Sequence, residues 1–457
     1  MNRVKLFLLA IVLLSGRTLW SQAASETLTA ENDSDVSSDS MGDRMQVPPP
    51  VSGQDYSTTT ISEDRSNFIR GALTFTGAYT DNASGNVAGR PVNDAGYSIA
   101  PSISLDEKTS RMHATFTYAP GFTFYQRDSG LNEADHNASI DFQYRLSPHV
   151  TFSARDTIQK SSSVFNRPDL TGLQGVSSGP TGANFSIIAP IADRLTNLGS
   201  VGLNYQFSMN GMLGVSGNFS NLHYPNPSEV PGLFDSSSTA FSAFHSLRLS
   251  KMHYIGVTYE YQRLLAYPVN GTSETQTNAL LFFYTLYPRE KFSISFFGGP
   301  QHSDTTQPAL PPLNIQFPAQ KAWTPAAGVS MSWQGRVSNI ALSFSHEISG
   351  GGGLNGAVKM DAASANFRRQ ISKTLTGSVG VAYTKNDVLQ SSLAPSSNGH
   401  TVSAAASLQR QFRQFNAGLG YTRLQQSYSG VAVISAAPDT NREYVSVSYQ
   451  FSRPLGR

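Results

Sequence analysis

Without cysteine, any chemistry in this chain has to come from histidine, carboxylates, lysine, arginine and hydroxyls, because disulfides, thiolate catalysis and cysteine-ligated metals all drop out. The nine histidines are scattered singly, with no close pair at metal-ligand spacing. His346 stands between Ser345 and Glu347. Neighbours along a strand point to opposite faces, so that triplet is contiguous in sequence and divided in space. The acidic run Asp33, Asp35, Asp39 and Asp43 lacks the glycine and terminal glutamate of a calcium loop and reads as solvated acid. Neither H-E-x-x-H nor a P-loop occurs. A catalytic centre needs a nucleophile, a base and an orienting group that converge. The expectation is therefore no catalytic, metal or cofactor site and no enzyme activity.

What remains is a set of charges placed on one parity of alternating segments. Asp141, Arg145, Arg155, Arg248, Glu260, Lys359, Asp361, Arg368 and Arg423 are the candidate lining of a pore, where rings of charge select solutes by sign. Their other natural role is to keep a wet wall hydrated or to pair across strands. Ser98, Ser102, Ser104, Thr115 and Thr117 share the same expected face and offer hydroxyls to a polar solute.

These residues need strands to position them, and the chain supplies the period-two alternation of a half-buried strand from about Ser66 onward. In His136 to Leu146, Ala138, Ile140, Phe142, Tyr144 and Leu146 share one parity while Asn137, Ser139, Asp141, Gln143 and Arg145 share the other. Near the end of the chain Val445, Val447, Tyr449 and Phe451 oppose Tyr444, Ser446, Ser448 and Gln450. About 18 such segments recur, centred near Thr74, Ser102, Thr117, Asp141, Ser153, Gly202, Gly217, Ser246, Thr258, Leu281, Ser295, Ser330, Leu342, Ala365, Val379, Ala405, Gly418 and Val447. Their connections alternate between short turns and long polar stretches, which puts every long connection at one end. The fold class expected is all-β, an antiparallel transmembrane β-barrel with short periplasmic turns and long extracellular loops. Lipid leaves backbone groups unsatisfied, so the sheet has to close. Tyr79, Phe124, Tyr125, Tyr144, Tyr261, Tyr287, Trp333, Tyr383, Tyr421 and Phe451 fall near strand ends, as interfacial girdles require.

The flanks of this repeat read differently. Arg3 and Lys5, the apolar run Leu6 to Leu14 and the small residues Ser21 to Ala23 make residues 1–23 a signal peptide. Residues 24–65, with nine acidic and two basic side chains and Pro48 to Pro50, read as a disordered acidic periplasmic leader ahead of a barrel over 66–457. A charged fraction of 14% and a net charge of +2 do not favour nucleic acid. The connection Gln159 to Arg194 is the longest, and its Phe185, Ile187, Ile188 and Ile191 would face water unless folded inward. It is the candidate constriction loop, with an outer lobe packed on neighbouring loops as the equal alternative.

The closing strand EYVSVSYQF, Glu443 to Phe451, resembles the carboxy-terminal insertion signal of outer-membrane barrels, with Tyr449 and Phe451 as its aromatic positions. The likeness implies recognition by the barrel-assembly machinery, although SRPLGR follows the final aromatic here. SISLDEKTSRMHATFTYAPGF and IDFQYRLSPHVTFSARD, within Ile99 to Phe165, resemble outer-membrane barrels encoded beside exopolysaccharide synthesis genes. That resemblance implies an outer-membrane conduit or assembly factor for polymer secretion, and the function expected is a porin-like channel in the outer membrane, surrounded by lipid, for polar solutes or a secreted polysaccharide. The alternative is a barrel that anchors partner-binding or adhesive surface loops. No strand advertises an oligomeric interface.

Overall fold

A computed structural model describes residue 45 and residues 67–455, except 84–91, 164–190, 270, 290, 309–317, 390–397, 430 and 432–438. Eighteen strands follow one another: β1 (Phe68–Thr80), β2 (Asp94–Lys108), β3 (Met112–Tyr125), β4 (Glu133–Arg145), β5 (Val150–Ser163), β6 (Ile191–Ser208), β7 (Gly211–His223), β8 (Asp235–Arg248) and β9 (His253–Tyr267) in the first half. The second half holds β10 (Ser273–Arg289), β11 (Phe292–Thr306), β12 (Gln320–Gln334), β13 (Ser338–Ser349), β14 (Val358–Gln370), β15 (Leu375–Val388), β16 (Gly399–Phe412), β17 (Phe415–Tyr428) and β18 (Asp439–Pro454). All eighteen segment centres expected from alternation fall inside a strand, one per strand.

Each strand pairs antiparallel with its sequence neighbours, and β1 pairs with both β2 and β18, from Phe68 opposite Pro454 to Thr80 opposite Arg442. That seam closes the barrel, so each of the eighteen strands has a partner strand on both sides. Turns at one end span two to four residues and connections at the other span five to 27. One of the two-residue turns, Arg413–Gln414 between β16 and β17, holds Arg413 at φ 52°, the left-handed backbone favoured in such hairpins.

Side-chain alternation sorts the two faces. Phe75, Ile99, Phe116, Ile140, Val201, Phe219, Phe241, Phe282, Phe296, Phe344, Val379, Val445 and Val447 are all exposed on the outer face. Water would penalise so continuous an apolar surface, and lipid would not. This outer wall makes the barrel a transmembrane one. Of the ten aromatic residues expected at strand ends, Tyr79, Phe124, Tyr144, Tyr261, Trp333, Tyr383, Tyr421 and Phe451 do share the outward parity. Tyr125 and Tyr287 turn inward instead. Tyr125 lies beside Gly96 and Tyr287 meets Tyr254 edge to face at 5.4 Å.

Glycine on the inner wall has a specific use. An added Cβ at Gly214 would come within 2.1 Å of Phe244, at Gly256 within 2.3 Å of Phe283, at Gly328 within 2.3 Å of Phe297 and at Gly420 within 2.3 Å of Tyr444. In each pair an aromatic ring of the adjacent strand occupies the space a side chain on the glycine would fill.

Candidate functional site in the barrel lumen

The inner wall is dominated by hydroxyls that pair across strands. Thr74 donates to Ser448 at 3.1 Å and Thr117 to Ser104 at 3.2 Å. Ser216 bonds Ser242, Ser343 bonds Ser364 and Ser378 bonds Ser407, each at 2.7 Å. Ser220–Ser238, Thr275–Thr305 and Thr285–Ser295 repeat the pattern at 2.7, 3.0 and 2.6 Å. All of these positions have inward parity. Small hydroxylated side chains leave the lumen wide, and a hydroxyl that donates to its neighbour still has lone pairs for a solute.

Between β1–β5 and β14–β18 the wall borders a cavity of about 530 Å³, lined among others by Thr74, Thr76, Ser98, Ser378, Ser407 and Ser446. It runs from Thr376 and Gln409, close to the short turns, to Asp135 and Arg442, close to the long connections. Asp135, Arg368 and Arg442 are inward charges along it. Among the described residues, the lumen on this side is open along most of the strand length.

The opposite side is filled from the long-connection end. β13 pairs with β12 only from Asn339 to His346; beyond that it parts from β12 while staying paired with β14, and the Ile348 N–H donates to the Gln301 side chain on β11 at 3.1 Å. Ile348 then packs with Leu264 of β9 and Ala357. The Gly350–Ala357 connection follows it inward and lies against Leu222, Ser236, Ser237, Ser238 and Leu264. Its Leu354, 0% exposed, sits in an apolar cluster with Tyr224, Val230, Leu233, Met360 and Tyr428. The Phe234 N–H donates to the Gly353 carbonyl at 2.7 Å, joining the two inward connections. Gly352, Gly353 and Gly356, at φ 59°, 108° and 118°, adopt backbone that other residues resist. Gly351, Gly353 and Gly356 also carry the spacing of a dinucleotide-binding loop, but such a loop opens a helix and this one opens β14.

Among the described residues, this connection narrows the lumen. The expected constriction loop falls mostly outside the described residues: Phe185, Ile187 and Ile188 are not among them, and Ile191 is the first residue of β6. The signal for the Gly350–Ala357 connection was available as four consecutive glycines followed by a single leucine between two polar strand ends.

Asp141, Arg145, Arg155, Arg248, Glu260 and Arg368 have inward parity. Asp141 stands opposite Arg155 in the β4–β5 register, and Arg248 donates through Nε to Asn210 Oδ1 at 3.0 Å beside a short turn. Lys359, Asp361 and Arg423 take the outer face, contrary to expectation. Asp361 is bonded to His346, Arg423 reaches Asp439 at 3.5 Å, and Lys359 shares the parity of exposed Phe367. The reason is an inversion of polarity at the long-connection end. There part of the inner face is apolar, at Leu222, Leu264, Met360, Leu424 and Tyr428, and Leu222, Met360 and Tyr428 pack with Leu354 of the inward connection. The outer face, above the apolar band, carries ion pairs, Arg263–Glu274 at 2.9 Å, Lys321–Asp304 at 3.5 Å and Lys385–Asp387 at 2.8 Å. His346 and Asp361 belong to this outer rim, while Ser345 and Glu347 have the opposite parity.

No family model and no curated protein matches the chain. Solved structures similar to it include Acinetobacter baumannii OccAB4, with TM-score 0.39, 9% identity and coverage of 85% of this chain and 99% of that one. The ferric-catecholate import receptor Fiu from E. coli K12 aligns with TM-score 0.41 and 9% identity over 85% of this chain and 82% of that one. The outer membrane protein opdK from Pseudomonas aeruginosa aligns with TM-score 0.38 and 9% identity over 84% and 99%. Likeness this loose transfers no function.

Proposed function

We propose that the protein is an outer-membrane channel for neutral, polyhydroxylated solutes, with saccharide chains as the substrate class. The observation that carries this reading is the ladder of paired hydroxyls beside a cavity of about 530 Å³ that reaches nearly the full strand length. Hydroxyls exchange hydrogen bonds with sugar hydroxyls at little net cost, so a chain is held weakly at many points and can move on. A wall built for ions would instead concentrate charge on the conduit, and here Arg368, Arg442 and Asp135 are few among Ser, Thr, Ala and Gln. The apolar outer wall and the closed seam support insertion in lipid, and the short-turn end is assigned to the periplasm.

Reconstitution tests this directly. Liposomes carrying the full-length protein are expected to swell in neutral oligosaccharide, and planar bilayers to show discrete openings with weak ion selectivity. A sealed barrel that admits neither sugars nor ions would contradict the channel and favour an anchor for surface loops.

A further inference from the structure

Inside the barrel two carboxylates approach one another, Glu260 on β9 and Glu347 on β13, both half-buried and of inward parity. Three strands stand between β9 and β13, and at about 4.8 Å per strand a regular wall would hold the two roughly 19 Å apart. The course of β13 closes that gap. Past His346 it parts from β12, the Ile348 N–H reaches Gln301 on β11, and Ile348 packs on Leu264 of β9. Glu347, one residue before Ile348, thereby comes within electrostatic reach of Glu260. Among the described residues, neither carboxylate has a hydrogen-bond or cationic partner.

Gln262 lies between Leu264 and Glu260 on the inner face of β9, bracketed by the two residues that β13 brings to that strand. It is 5% exposed, and its Oε1 is buried without a hydrogen-bond partner. The hydroxyl oxygens of Thr258 and Ser345, the next inward positions beside Glu260 and Glu347, are buried and unpartnered as well. Buried acceptors left unpaired are costly, and so are two like charges held together away from bulk water.

We propose that Glu260, Glu347 and Gln262 form a binding site for a divalent cation of the calcium class, which clamps the inward end of β13 to β9. The donors are all oxygen, the set that hard cations take, and two carboxylates balance a charge of +2. Magnesium demands a near-ideal octahedron, whereas calcium accepts irregular sets of carboxylate, carbonyl and water oxygens. Donors drawn from two strands that do not pair with each other suit calcium. The clamp sits at the root of the Gly350–Ala357 connection. It rests on these side chains alone and holds whether or not the barrel conducts.

Calcium titration tests the site in the full-length protein, inserted in zwitterionic liposomes and stripped with a chelator, with the urea unfolding midpoint of the barrel as readout. At calcium about 100 times its dissociation constant, the folded-to-unfolded ratio of wild type is expected to rise about 100-fold. Glu347→Gln and Gln262→Leu are each expected to shrink that rise, and Glu260→Gln combined with Glu347→Gln to abolish it. The double variant loses the charge repulsion, so without calcium it is expected to be at least as stable as wild type and to report on binding in a folded barrel. Glu274→Gln, whose carboxylate pairs with Arg263 on the outer rim, is expected to keep the full calcium response. No response in wild type, or a full response in the double variant, would overturn the site.

Discussion

Leu354→Asp is expected to release the Gly350–Ala357 connection from the lumen and raise single-channel conductance. Leu354 is 0% exposed among Tyr224, Val230, Leu233, Met360 and Tyr428. An unpaired carboxylate would cost several kcal/mol in that cluster, so the connection gives up its seat instead. The seat is worth what burial of the leucine contributes, about 2–5 kcal/mol on the scale of core leucine truncations. At 1.4 kcal/mol per decade, a loss of about 3 kcal/mol shifts the docked-to-released ratio roughly 100-fold. The strand ladders are untouched, so the barrel's urea unfolding midpoint is expected to move little. Conductance in planar bilayers is the readout, with Leu354→Met as a control that keeps the volume and the wild-type current. An unchanged current in an intact barrel carrying Leu354→Asp would refute the assignment of this connection as the constriction.

Three further outcomes follow from other parts of the wall. Gly256→Ala drives a Cβ to 2.3 Å from both the His245 carbonyl oxygen and Phe283. It is expected to lower stability by about 1–3 kcal/mol, read as the midpoint of urea unfolding in liposomes. Arg368→Glu, at the side of the cavity, is expected to shift the reversal potential under a salt gradient toward cation preference, while oligosaccharide swelling persists. Ser378→Ala together with Ser407→Ala removes one hydroxyl pair bonded at 2.7 Å. With both partners gone the stability is expected to change by less than about 1 kcal/mol, and saccharide flux to fall relative to salt conductance.

Strand count and register direction were legible because lipid outside and water inside impose a two-residue period on thirteen or more residues at a time, as in β1 and β4. The same rule misleads where its cause stops. In β14 Met360 and Ala362 point inward while Ala363 and Phe367 point outward, so apolar residues occupy both parities and the sequence alone gives no frame for Lys359 and Asp361. In β17 Leu424 and Tyr428 point inward, Tyr428 against the packed connections, and Arg423 faces outward above the apolar band. Charge marks the inside only at the depth of the lipid. The constriction was hidden for a different reason: glycine-rich segments carry no periodicity, and the inward course of Gly350–Ala357 depends on β13 leaving β12 after His346.

The whole account depends on which way the strands face, and neighbouring residues of β18 measure that most directly. Val447, 46% exposed, lies on the outer wall between Phe75 and Ala417, whereas Ser448 points inward and accepts from Thr74 at 3.1 Å. In urea unfolding from liposomes, Val447→Lys is expected to cost about 2–4 kcal/mol, and Ser448→Lys less than about 1 kcal/mol. Equal costs at the two positions, or a larger one at Ser448, would contradict the lipid-facing outer wall and with it the channel.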